Sequence, residues 1–114
     1  MTADTTLERL AQTIKARRSE TAAKSYTRQL LDAGPERCAR KLGEEAIETV
    51  IAGVQQDDAA LTAEAADLVY HLLVLLEARN VPLSAVAAVL EARMGTSGHD
   101  EKASRPTQGQ NSGA

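Results

Sequence analysis

Apolar residues recur along this chain at helical spacing, and the breaks between them carry capping and turn residues. Residues 5 to 18 read as a first helix, with Leu7, Leu10, Ala11 and Ile14 on one face. It ends in the basic, polar run Lys15-Ala16-Arg17-Arg18-Ser19-Glu20. Ser25 can cap a short helix through Leu31 that stops at Gly34, and Pro35 suits the first turn of the next. That helix is expected to reach about Val54. Asp57 or Asp58 can cap a long apolar helix continuing to Arg79, with Asn80 at its C-terminal end. Pro82 and Ser84 open a last helix through Met94, closed by Gly95. The Gly/Ser/Thr/Gln-containing tail from Thr96 has no apolar pattern, and Thr107 to Ala114 are expected to be mobile. No strand or internal repeat is evident, so the class is all-α, with four to five helices in one domain over residues 1–106.

In the long apolar helix, Leu61, Ala65, Leu68, Val69, Leu72, Leu73, Val74, Leu75 and Leu76 cover almost the whole circumference. A helix apolar all round must be covered on more than one side. So few helices can hardly surround it, so a second copy is expected to complete a shared bundle, making a homodimer.

Composition agrees with helices. Hydrophobic residues make up 43% of the 114, there is no Trp or Phe, and Tyr26 and Tyr70 are the only aromatic residues. Ala- and Leu-rich, aromatic-poor chains favour close helix packing over sheets. A net charge of -3 argues against nucleic acid as partner. Cys38, the single cysteine, cannot form an internal disulfide, and its expected role is packing in a reducing cytoplasm. The N-terminus, with Asp4 and Glu8, does not read as a signal peptide. The run Leu68 to Leu76 is taken as too short to span a bilayer, so no membrane partner is expected.

The chemistry lies in two acidic motifs on successive helices, Glu44-Glu45-Ala46-Ile47-Glu48 and Glu64-Ala65-Ala66-Asp67. Acids three or four residues apart share a helix face. Glu64 and Asp67 interrupt an apolar cylinder, where unpaired carboxylates would cost several kcal/mol or become protonated. Glu44 and Glu48 flank the Ile47/Ile51 stripe, while Glu45 lies further round, as an outer member of the set. A short polar link makes the two helices antiparallel neighbours. Five carboxylates gathered between them suit a hard divalent cation such as Mg2+, which keeps positions for water and phosphate oxygens. The alternative is a solvated acidic face paired with Arg40 and Lys41, on a non-catalytic dimerisation module. His71 projects between Glu64 and Asp67 from the next turn, either as a substrate or carboxylate contact or as a core histidine. Tyr26 and Tyr70 can stack on a base or pack.

The pattern EExxE followed by ExxD resembles the all-α, MazG-like nucleoside triphosphate pyrophosphatases. Within that group, Ser25-Tyr26-Thr27, Gly34-Pro35-Glu36-Arg37, Lys41-Leu42-Gly43-Glu44-Glu45-Ala46, Asp67-Leu68-Val69-Tyr70-His71 and Glu101-Lys102-Ala103-Ser104-Arg105 resemble the phosphoribosyl-ATP pyrophosphatases of histidine biosynthesis. The resemblance implies hydrolysis of 1-(5-phosphoribosyl)-ATP to 1-(5-phosphoribosyl)-AMP and pyrophosphate with Mg2+, in a stand-alone chain. It makes Glu44, Glu45, Glu48, Glu64 and Asp67 the catalytic and metal-binding candidates, with Glu45 to orient or deprotonate the attacking water. Arg37, Lys41, Lys102, Arg105 and His71 become candidates for binding the phosphoribosyl nucleotide, with the segment around Lys102 and Arg105 closing over a phosphate. The rival within enzymes is a pyrophosphatase that destroys noncanonical nucleoside triphosphates.

Overall fold

A computed structural model describes residues 3–21 and 25–95, with side chains from residue 5. The expected action of Lys102 and Arg105, and the mobile tail, lie outside the described residues. The described chain is all-α: α1 (Ala3–Ala16), a 3-10 turn (Arg17–Ser19), α2 (Tyr26–Ala33), α3 (Pro35–Gln55), α4 (Asp58–Ala78) and α5 (Leu83–Met94), with no strand among the described residues. It divides into two compact units, Met1–Leu83 and Ser84–Ala114.

The helix boundaries follow from local chemistry. Ser25 accepts the Arg28 N–H at 3.1 Å to cap α2. Asp57, rather than Asp58, caps α4 by accepting from the Ala60 N–H at 2.9 Å. Gly34 serves both as the end of α2 and the start of α3, at φ 94°, a region that only glycine enters without strain, and Pro35 follows at the first helical position. α4 ends in paired reverse bonds: Val81 N–H to the Leu76 carbonyl at 2.9 Å and Asn80 N–H to the Glu77 carbonyl at 3.0 Å. Asn80 adopts the left-handed conformation this closure needs, at φ 59°.

The first helix is shorter at its end than its apolar pattern suggests, because Arg17 and Arg18 tighten into the 3-10 turn. Arg18 has partners elsewhere: it forms an ion pair with the Glu77 carboxylate and donates to the Glu77 carbonyl at 2.6 Å. Arg28 donates to the carbonyls of Arg18 and Glu20 at 2.7 and 2.6 Å, holding the same turn from α2.

In the first unit, α3 and α4 make the most extensive helix pairing, and α1 and α2 both reach α4. The core lies where these helices meet, built on Ile14, Leu30, Cys38, Leu73 and Val74. Burying each of the larger aliphatic side chains contributes roughly 1.5–3 kcal/mol. The Cys38 thiol is fully buried, donates to the Leu30 carbonyl at 3.3 Å, and is pushed above the ordinary thiol range by that burial.

The α3 face turned inward differs from the stripe its large residues suggest. Its buried residues are Cys38, Glu45 and Ala52, seven apart, which places them on one line. Small residues let α3 approach α4 closely, and the bulky Ile47, Val50, Ile51 and Val54 turn outward, 42–78% exposed. The apolar run Leu68 to Leu76 lies within the longer helix α4. The helix containing it has 21 residues, long and apolar enough by length and composition to cross a membrane. The mean hydropathy of α4 reflects its Leu and Val content; the helix also carries Glu64, Asp67 and His71 and packs against α1, α2 and α3.

Candidate active site on the helical hairpin

The α3–α4 hairpin brings the two acidic motifs together. One carboxylate oxygen each from Glu45, Glu48 and Glu64 lie within 4.8 Å of one another. Glu45 is buried, Glu64 partly so, and Glu48 opens to solvent. Glu45 is therefore the deepest of the three rather than an outer member, because it stands on the Cys38–Ala52 line that faces α4. Thr49, one turn on, donates to the Glu45 carbonyl at 2.8 Å and approaches the Glu64 carbonyl at 3.2 Å. Its hydroxyl bridges the two helices at the level of the acids. Nothing in the local pattern marks Thr49, since its partner lies 15 residues away.

Glu64 records the crowding. One of its carboxylate oxygens is buried with no hydrogen-bond partner. Its carboxyl is held above the usual range, first by loss of solvation and then by the like charges of Glu48, Asp67 and Glu45. A cation removes both penalties. The donor set, carboxylate oxygens alone, is that of a hard ion, and Mg2+ at about 2.1 Å from each ligand needs ligand oxygens no more than about 4.2 Å apart. Three oxygens already within 4.8 Å reach that spacing by small side-chain rotations, so the residues fit Mg2+.

The other predicted residues among those described lie on the same two helices. Asp67 is exposed beside Glu64 on α4. Glu44 is turned outward and accepts an ion pair from Lys41 at 3.1 Å. That bond, followed by the nearby Tyr26 and Glu44 charges, raises the Lys41 pKa above its ordinary value. Arg37 is exposed one turn before Lys41, so α3 carries cations in its first turns and acids in its middle.

His71 is buried, 6% exposed, and its Nδ1 has no hydrogen-bond partner. The rings of Tyr70 and Tyr26 meet it edge-on, with centroids 4.9 and 6.3 Å away. Burial lowers its pKa below the ordinary histidine value; Glu45, the largest opposing influence, acts the other way and Lys41 adds to the lowering. The Tyr70 hydroxyl is hydrogen-bonded to the buried Thr27 hydroxyl, and its pKa is raised, chiefly by burial.

The profile of the phosphoribosyl-ATP pyrophosphohydrolase family matches residues 7–94. The phosphoribosyl-ATP pyrophosphatase of Cereibacter sphaeroides (strain ATCC 17029) is 57% identical over 101 residues, covering 89% of this chain and 98% of that protein. Phosphoribosyl-ATP pyrophosphatase 1 of Bradyrhizobium diazoefficiens is 57% identical over 100 residues, covering 88% and 94% respectively. The Jannaschia sp. (strain CCS1) enzyme of the first name is 55% identical over 101 residues, covering 89% and 99%. With most of α1, all of α2 to α5 and the acidic hairpin inside the matched span, the chain belongs to the phosphoribosyl-ATP pyrophosphohydrolase family.

Proposed function

We propose that the chain hydrolyses 1-(5-phosphoribosyl)-ATP to 1-(5-phosphoribosyl)-AMP and pyrophosphate, the second step of histidine biosynthesis, with Mg2+ as cofactor. The observation that carries the reading is the convergence of Glu45, Glu48 and Glu64 oxygens beside a buried Glu64 oxygen that has no hydrogen-bond partner. Membership of the family and the names of the close relatives support the substrate.

Glu45, Glu48 and Glu64 hold the metal in this reading, with Glu44 and Asp67 at its rim. Bound there, Mg2+ supplies positive charge against the oxygens of the anhydride between the α and β phosphorus atoms. Glu45, the sequence candidate for orienting the attacking water, is buried among the converging oxygens, which argues for a ligand role. Asp67, open to solvent beside Glu64, is then the carboxylate that holds the water. Arg37 and Lys41, on the turns of α3 before the acids, take phosphate oxygens, Arg37 through paired hydrogen bonds and Lys41 as a point charge. Lys102 and Arg105 join them on the strength of the resemblance alone.

The enzyme works as a cytoplasmic homodimer in this reading. The exposed Ile47, Val50, Ile51 and Val54 on α3, with Leu72 on α4, form the apolar surface that a second copy covers.

The test is pyrophosphate release from phosphoribosyl-ATP, with and without Mg2+, beside a panel of ordinary and noncanonical nucleoside triphosphates. Metal-dependent turnover restricted to phosphoribosyl-ATP is expected. Turnover of the panel instead keeps the acidic site and overturns the substrate, and no turnover of any compound favours a dimerisation module.

A further inference from the structure

Tyr26 is an aromatic ring left open beside the acidic hairpin. It is 51% exposed, although the residues on either side of it, Ser25 and Thr27, are buried. Those neighbours fix its place: Ser25 caps α2, and Thr27 is hydrogen-bonded to the Tyr70 hydroxyl. The ring stands edge-on to His71, whose buried Nδ1 lacks a partner, and close enough to Lys41 to affect its charge. Lys41 is itself engaged by Glu44 at 3.1 Å, and Glu45 and Asp67 act on His71. Both neighbours of the ring, Lys41 and His71, thus feel carboxylates.

The substrate of the proposed reaction differs from ATP in its base. A sugar on N1 makes the N1–C6–N6 unit of adenine an amidine, a strong base that carries a proton near neutral pH. The purine is then a cation, whereas the base of ATP is neutral. A cation over an aromatic face gains electrostatic stabilisation that a neutral base does not.

We propose that the open ring of Tyr26 recognises the cationic, N1-substituted adenine of the substrate and so separates phosphoribosyl-ATP from ordinary nucleoside triphosphates. This rests on the reaction proposed above and names a specificity contact within it. Tyr26 makes no contribution to the metal, and its effect falls on binding rather than on bond breaking.

The test uses two isomeric probes at pH 7: 1-methyl-AMP, whose base is cationic, and N6-methyl-AMP, whose base is neutral. Calorimetric titration of the wild-type chain is expected to show 1-methyl-AMP binding about 2- to 30-fold more tightly. Tyr26→Phe, which keeps the ring, retains the preference, and Tyr26→Leu loses it while its melting temperature stays close to wild type. With phosphoribosyl-ATP, Tyr26→Leu raises KM by a similar factor and leaves kcat near wild type. Equal affinity for the two isomers, no measurable binding of 1-methyl-AMP, or a preference that survives in Tyr26→Leu overturns the proposal. Loss of the preference in Tyr26→Phe also overturns it, since the hydroxyl would then be the contact. A wild-type chain that hydrolyses phosphoribosyl-ATP without the preference overturns only the role of Tyr26. One that shows the preference but releases no pyrophosphate overturns only the reaction.

Discussion

Glu64 combines a buried oxygen without a partner, a raised pKa and three acidic neighbours, and these have one physical origin. The hairpin concentrates negative charge around one carboxylate oxygen that is shielded from water. Glu64→Gln removes the proposed metal ligand at nearly constant shape, so turnover is expected to fall well over tenfold while the helical circular dichroism stays unchanged. Mg2+ is expected to raise the melting temperature of the wild type and not of this variant, because a ligand bound only by the native state stabilises it. A variant retaining more than about a tenth of the rate, a barrier change under about 1.4 kcal/mol, contradicts the metal role. His71 yields a pH dependence of opposite origin. Its imidazole is held below the ordinary value of 6.5 chiefly by burial, so the folded chain keeps it neutral while the unfolded chain takes up a proton. Its contribution to stability is full above pH 6.5 and is lost as pH falls towards the lower folded value. Melting in EDTA between pH 7.5 and 5.5 (about one unit either side of the ordinary histidine value) is therefore expected to show a steeper acid loss in wild type than in His71→Gln. Equal slopes would remove His71 from the account.

The helices themselves were largely legible in the chain. Ser25, Gly34, Pro35, Asp57 and Asn80 are local signals, and each acts within a few residues of itself, so α2, α3 and α4 begin and end close to where they mark. What escaped was the rotation of α3. Ile47 and Ile51 look like its buried stripe, but the inward line is Cys38, Glu45 and Ala52, in which the small Cys38 and Ala52 allow close packing and Glu45 faces the acids of α4. The same contact depends on Thr49, whose hydroxyl reaches the carbonyls of Glu45 and Glu64. Thr49→Val keeps the shape and removes the bridge, and thermal or urea unfolding is expected to show a loss of about 0.5–1.5 kcal/mol. No change in stability would mean that the bridge holds nothing.

At the scale of the molecule, the apolar α3 stripe stands uncovered in the monomer. Four large aliphatic residues stand 42–78% exposed on one helix face. Light scattering at micromolar concentration is expected to give twice the chain mass for wild type, and the chain mass for Ile47→Asp combined with Ile51→Asp. A monomeric wild type ends the homodimer proposal. The all-α class, the helix limits and the spacing of the two acidic motifs were set by the sequence alone, since periodicity and capping act over a turn or two of chain. Only the tertiary structure decided that Glu45 is the deep carboxylate, that Thr49 joins the two helices, and that Tyr26 stays open beside a buried His71. Each of these depends on how one helix is rotated against another, and that rotation is settled by packing between residues far apart in the chain.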